Sequence, residues 1–140
     1  MATTVDIYCR TATSDAESRT NLEQQEAACR AYCQECGLTV ANVYHEVASG
    51  STYRDRELLS VMRTRYRTGG IQGVVVTTLD RLSRSHAHLV ILLQEMAAHA
   101  AAFYCVQDSI SDMNGRIVSI LLDFVIEIER EKALDASLTD

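Results

Sequence analysis

Apolar and polar positions change along the chain in blocks that alternate between strand-like runs and helix-like spacing. Residues 4–9 (TVDIYC) form a short apolar run and predict a strand, followed by a polar loop over 10–20. From Asn21 to Cys36 the spacing is helical, with Leu22, Gln25, Cys29, Tyr32, Cys33 and Cys36 on one side and Gly37 as the stop. Residues 38–45 (LTVANVYH) predict a second strand, and 46–55 a loop. Leu58, Leu59, Met62 and Tyr66 mark a second helix, ended by Gly69-Gly70. Residues 73–79 (GVVVTTL) predict a third strand, whose unbroken apolar run suits a parallel sheet covered on both faces. Ser85 caps a third predicted helix running to about His99, and residues 101–106 (AAFYCV) predict a fourth strand. From about Asn114 the pattern is one long helix. This alternation predicts an α/β fold: a mostly parallel central sheet of four to five strands, flanked by helices, in one domain over residues 1–140.

The long C-terminal helix carries Ile117, Val118, Ile120, Leu121, Leu122, Phe124, Val125 and Ile128. That apolar surface is too wide for a helix with one face in water. Part of it covers the sheet, and the remainder predicts self-association through Ile117, Leu121, Phe124 and Ile128, as a homodimer or homotetramer.

Composition narrows the class. The chain has 140 residues, 47% hydrophobic and 23% charged, with no proline, which fits one packed domain. No apolar run approaches the roughly 20 residues needed to cross a bilayer, so no membrane partner is expected. The opening MATTVDIY lacks the basic and apolar regions of a secretory signal, and a cytoplasmic location is expected. Five cysteines (Cys9, Cys29, Cys33, Cys36, Cys105) include a Cys29-x3-Cys33-x2-Cys36 run. On a helix these three share an apolar face and act as small hydrophobes, so no metal site is expected.

Net charge is −6, but unevenly spread: residues 1–53 sum to −4, 54–84 to +4 and 85–140 to −6. Of 13 basic residues, 12 are arginine and only Lys132 is lysine. Arginine forks onto phosphate oxygens and stays charged, so the bias fits fixed anion recognition; GC-rich codon usage produces the same bias.

In open parallel sheets, ligands bind at the carboxyl ends of the strands. The unusual polar residues fall there: Tyr8 and Arg10 at the first strand, Glu46 and Ser49-Gly50 at the second, and Asp80, Arg81 and Arg84 at the third. The stretch Leu79-Asp80-Arg81-Leu82-Ser83-Arg84-Ser85 is the most informative. Two arginines three apart leave a buried strand, and the flanking leucines anchor the turn.

Asp80-Arg81-Leu82-Ser83-Arg84 matches the D-R-L-x-R signature of the serine site-specific recombinases of the resolvase/invertase type. Tyr8-Cys9-Arg10 resembles that family's opening Y-x-R, and Asn21-Leu22-Glu23-Gln24-Gln25 its S-L-x-x-Q. Ala48-Ser49-Gly50 followed by Arg56 resembles its S-G loop and arginine, and Glu129-Arg130-Glu131 the E-R pair on its long helix. Each motif alone is weak, but five in order across nearly the whole chain are specific.

The resemblance implies double-stranded DNA as partner and substrate, and no small-molecule substrate. A serine attacks a DNA phosphodiester, leaving a 5′-phosphoseryl link and a free 3′ hydroxyl, and the ends exchange partners within a tetramer. The link conserves the bond energy, so neither a nucleotide cofactor nor a metal is implied; guanidinium groups stabilise the phosphorane charge. Arg10, Arg81 and Arg84 are the first choices for that clamp, with Arg56 next. Tyr8 and Gln25 support the pocket, Asp80 and Glu46 orient arginines or assist proton transfer, and Glu129 and Arg130 couple the long helix to the site.

Three departures stand out. The family pattern Y-x-R-[VTI]-S-[ST] puts its nucleophilic serine on Ala12, which has no nucleophile. The resemblance therefore implies an inactive form, either engineered or a naturally degenerate relative that binds DNA or partners without cutting. Thr13 or Ser14 as substitutes are offset from the attacking line. Glu46 stands where the family has aspartate. The loop from Glu46 to Arg56 is one residue longer than the family pattern, so Arg54 competes with Arg56, and the spacing to Leu59 and Met62 favours Arg56. The family's DNA-reading module follows the long helix and nothing after Asp140 supplies one, so a fragment of a longer recombinase is expected.

Two rivals come from other classes. A small phosphate-anion enzyme on an open α/β sheet explains the arginines but not the wide apolar helix. A phosphoacceptor signalling domain fits Asp6 and Asp80 on strands but wants a late lysine, and Lys132 lies inside the last helix.

Overall fold

The computed structural model describes residues 3–48, 56–107 and 130–134. Eight elements follow one another: β1 (Thr4–Thr11), α1 (Ala16–Cys36), β2 (Thr39–Val47), α2 (Glu57–Arg67), β3 (Gly73–Val76), α3 (Leu79–Leu82), α4 (His86–Ala98) and β4 (Ala102–Cys105). The strands form one sheet in the order β2-β1-β3-β4, every pair parallel. Four strands of the expected four to five are therefore present among the described residues.

Boundaries moved where local chemistry outweighs the hydrophobic pattern. The expected loop over 10–20 is mostly regular, because β1 continues to Thr11 and α1 starts at Ala16. Asp15 caps that helix, its carboxylate accepting the Ser18 N–H at 2.8 Å, and Glu17 sits favourably in the first turn. The helix ends as expected at Gly37, whose φ of +71° suits glycine, with its N–H turned back to Gln34 and Leu38 bonded to Cys33. The expected third strand 73–79 stops at Val76, and Leu79–Leu82 winds into a single helical turn. Ser85 caps α4 by accepting the His88 N–H.

Helices cover both faces of the sheet, and β1 shows how. Its odd positions Val5, Ile7 and Cys9 pack with Val75 against Leu22, Cys29 and Cys33 of α1. On the other side Tyr8, Val74 and Val76 pack with Leu59, Met62 and Tyr66 of α2 and with Leu89, Leu92, Leu93 and Met96 of α4. Gly73 is needed where the layers close: a Cβ there meets Tyr104 Cε2 at 2.9 Å and Val5 Cγ1 at 3.0 Å. The three clustered thiols of α1 are unbonded to one another, and Cys29 and Cys33 are buried in the apolar layer. Among the described residues no helix is long and apolar enough to cross a membrane. The expected long helix from about Asn114, with Ile117 to Ile128, lies outside the described residues, except that 130–134 are helical and exposed.

Candidate functional site

Where β1 ends, three side chains of its even face are buried in a row: Asp6, Tyr8 and Arg10. Each is matched by partners from neighbouring elements. Asp6 accepts the Tyr44 hydroxyl at 3.0 Å and Arg65 Nε at 2.8 Å. The Tyr8 hydroxyl donates to Glu46 at 2.6 Å and accepts from Arg56 Nε and Nη2 at 3.0 and 2.8 Å. Burial and the Glu46 carboxylate push the Tyr8 hydroxyl far above its ordinary range, so it stays protonated.

Glu46 lies on β2, one residue beyond the strand expected from the pattern. It organises this layer. Its two oxygens accept the Leu58 and Leu59 N–H groups at 2.7 and 3.1 Å. Those are orphan donors of α2, whose N-cap Arg56 makes no side-chain cap bond. A carboxylate from another strand thus caps the helix and neutralises part of the Arg56 charge at 3.9 Å. Arg56 is itself fully buried, its guanidinium 5.2 Å from the Tyr8 ring centre, and its Nη1 has no hydrogen-bond partner among the described residues.

Arg10 is only 2% exposed. Its guanidinium donates to three backbone carbonyls: Arg81 at 3.0 Å, Ala48 at 2.8 Å and Asp80 at 2.6 Å. It therefore clamps the turn after β3 to the end of β2. Burial, then the nearby Arg56 charge, lowers its pKa. Gln25 of α1 grips the backbone of the same residue from the other side, donating to its carbonyl at 3.0 Å and accepting its N–H at 3.1 Å. The sequence pattern makes Arg10 the first choice for the anion clamp; in this geometry its donors point inward.

Arg81 points the other way. Its Nη1 bonds the Arg10 carbonyl at 3.1 Å, and it lines a cavity of about 380 Å³ with Thr11, Ala12, Thr13, Asp15 and Asn21. Arg84 is exposed and close enough to lower the Arg10 pKa. Asp80 accepts the Thr78 hydroxyl, which holds its carboxyl below the usual range and keeps it ionised at neutral pH. Ala12 is exposed at the mouth of this cavity.

The structure thus brings together Tyr8, Arg10, Ala12, Gln25, Glu46, Arg56, Asp80, Arg81 and Arg84 at the carboxyl ends of β1, β2 and β3. Arg130 is exposed on the last described helical turn, and Glu129, Ser49, Gly50 and Arg54 lie outside the described residues. Sequence reasoning missed the Thr13–Asp15–Ser18 set, in which the Thr13 hydroxyl donates to Asp15 at 3.0 Å and meets Ser18 Oγ at 2.6 Å. Asp15 directly before an acidic first turn was the available signal for a helix start there. Among the described residues no group of three or more His, Cys, Asp or Glu is placed to hold a metal.

Comparison with known proteins agrees on one family. The family model described as "Resolvase, N terminal domain" matches residues 5–138. A resolvase family site-specific recombinase from Streptococcus pneumoniae superposes with a TM-score of 0.75 at 26% identity, over 97% of this chain and 93% of that one. The N-terminal catalytic domain of TP901-1 integrase gives 0.73 at 24% identity, over 91% and 97%. The C-terminal catalytic domain of ISC1926 TnpA, an IS607-like serine recombinase, gives 0.66 at 22% identity, over 89% and 84%. No curated protein matches the chain in sequence.

Proposed function

Because the chain belongs to the Resolvase N-terminal domain family, we propose that it is the catalytic domain of a serine site-specific DNA recombinase whose nucleophile position is occupied by Ala12. One observation carries the reading: position 12 is exposed in a cavity shared with Arg81, while the supports around it, Gln25 on Arg10 and Arg10 on the Asp80–Arg81 turn, are all in place.

With serine at position 12, its Oγ attacks phosphorus, the Oγ–P bond forms and the P–O3′ bond breaks. The seryl proton is lost to a base, and the departing 3′ oxygen takes up a proton. Asp80, ionised and near Arg81, suits acceptance of a proton rather than donation. Arg81 and Arg84 are the outward-facing guanidiniums and stabilise charge on the phosphorane oxygens. Arg10 and Arg56 act from inside, by fixing the turn that aims Arg81. Glu46, closed in by Leu58, Leu59 and Tyr8, orients rather than transfers protons. Thr13 is a poor replacement nucleophile, because its one-residue offset turns the hydroxyl off the attacking line, toward Asp15 and Ser18.

Double-stranded DNA, a homodimer or homotetramer joined through the C-terminal helix, and a cytoplasmic location belong to this reading. The protein with Ala12 forms no covalent DNA adduct, since electrostatic stabilisation acts only on an attack that some group can make. The test is a denaturing gel with a suicide DNA substrate and the full-length protein. Ala12→Ser yields a DNA-linked band; adding Arg84→Ala reduces its rate about 10²- to 10³-fold. If Ala12→Ser binds and pairs its site yet forms no adduct, the protein is a recombinase relative that holds DNA without cutting.

A further inference from the structure

A second cavity adjoins the one beside Ala12. It measures about 210 Å³, sits against the ends of β3 and β4, and shares Asn21 and Arg81 with its larger neighbour. Its other polar walls are Gln24, Gln25, Thr77, Thr78 and Gln107. We propose that it binds the phosphodiester next to the scissile one on the same DNA strand, so that Arg81 lies between two successive phosphates. This rests on the recombinase reading above and extends it by one nucleotide.

Three features select that occupant. The size comes first: ligand pockets for drug-sized molecules run from about 300 Å³ upward, so this one suits a phosphodiester rather than a nucleoside. The second is wall chemistry. Among the described residues the lining holds no aromatic ring on which an unstacked base would stack, and instead offers neutral amides and a guanidinium. The third is unspent hydrogen-bonding capacity. Gln25, which also borders the cavity, is used up on Arg10 and Asn21. By contrast the Asn21 amide N–H groups, the Gln24 and Gln107 side chains, and Arg81 Nε and Nη2 make no hydrogen bond among the described residues. Successive phosphates are neighbours along one strand, and Arg81 borders both adjoining cavities. Among the described residues this cavity has no carboxylate in its lining, whereas the one beside Ala12 has Asp15 and Glu17.

The test is nitrogen-15 NMR of the chain with Ala12 in place, so that no chemistry intervenes. The probes are the thymidine dinucleotide TpT, with one phosphodiester, and the trinucleotide TpTpT, with two. TpT shifts the Arg81 Nε–H and the amides of Thr11 to Thr13. TpTpT additionally shifts the side-chain amides of Asn21, Gln24 and Gln107, and binds about three- to tenfold tighter. In the exposed-residue variant Gln24→Ala/Gln107→Ala that gain falls to the doubling expected from two equivalent phosphodiesters, with TpT binding unchanged. If TpT shifts the Ala12 cavity while TpTpT adds neither shifts nor affinity beyond that doubling, the second subsite is wrong and the recombinase reading stands. If neither probe shifts Arg81, the phosphate-binding reading of the whole crevice falls.

Discussion

The two faces of β1 solve one burial problem in opposite ways. Val5, Ile7 and Cys9 meet α1 through apolar contact alone, whereas Asp6, Tyr8 and Arg10, equally buried, meet α2, α3 and the end of β2 through hydrogen bonds and charge. Apolar burial is non-directional and tolerates neighbours of similar volume. Burial of Arg10 and Arg56 is tolerated only while named partners stay within hydrogen-bond reach, because an unpaired charge there costs several kcal/mol. A fold with no chemistry to arrange gains little from the second solution. Here it fixes the backbone of Arg10 and of the Asp80–Arg81 turn, which is what a phosphate-handling crevice requires.

The largest break in the comparison comes from Glu46→Leu. It strips the α2 N-terminus of its cap and leaves the Arg56 charge without a carboxylate, held only by the Tyr8 hydroxyl and the Arg81 carbonyl, for a loss of about 3–5 kcal/mol in urea unfolding. Glu46→Gln keeps acceptor capacity and loses roughly half as much. On the apolar face Ile7→Ala is next, at about 2–4 kcal/mol from transfer and cavity terms. Its cost is constant between pH 4 and 8, because no titrating group is touched.

Much of this division was legible in the sequence, and the limits have physical causes. The apolar run GVVV and the helical spacing of Leu59, Met62 and Tyr66 specify their elements directly, since burial repeats with the element's own period. Arg10, Arg81 and Asp80 were found together because strand ends converge at one edge of a parallel sheet. Direction was not legible: no local pattern tells that the Arg10 guanidinium turns inward to three carbonyls while Arg81 faces the cavity. Glu46 as the cap of α2 was equally hidden, because the contact joins residues 12 and 13 apart across a loop. The start of α1 was misplaced for a different reason: residues 12–20 carry no apolar stripe, and the cap at Asp15 alone nucleates the first turn.

A smaller effect sharpens the comparison through pH. Glu95 joins α4 to α2 above the polar face, held by both Arg63 donors at 2.9 and 2.7 Å and by the Tyr66 hydroxyl at 2.5 Å. The Arg63 hydrogen bonds hold its carboxyl below the usual range. Because the folded value is depressed, the contribution is fully present above the ordinary carboxylate pKa of about 4.3 and is lost as pH falls through the lower folded value. Glu95→Gln therefore costs about 1–2 kcal/mol at neutral pH, and thermal unfolding shows the gap to wild type closing below about pH 4. The smallest effect is Cys29→Ala on the apolar face, about 1 kcal/mol. Burial raises the Cys9 thiol to about 12 and the Cys29 thiol higher still. Both therefore react with a thiol reagent only as fast as the protein unfolds.

Residue 12 alone separates this crevice from a working one, and peptide mapping of the DNA adduct shows whether it does. The full-length protein, as Ala12 and as Ala12→Ser, is incubated with a suicide substrate, digested, and the phosphonucleotide-bearing peptide is sequenced by mass spectrometry. A nucleotide is expected on position 12 of the Ala12→Ser protein and on no residue of the Ala12 protein. A nucleotide on Thr13 or Ser14 of the Ala12 protein would contradict it.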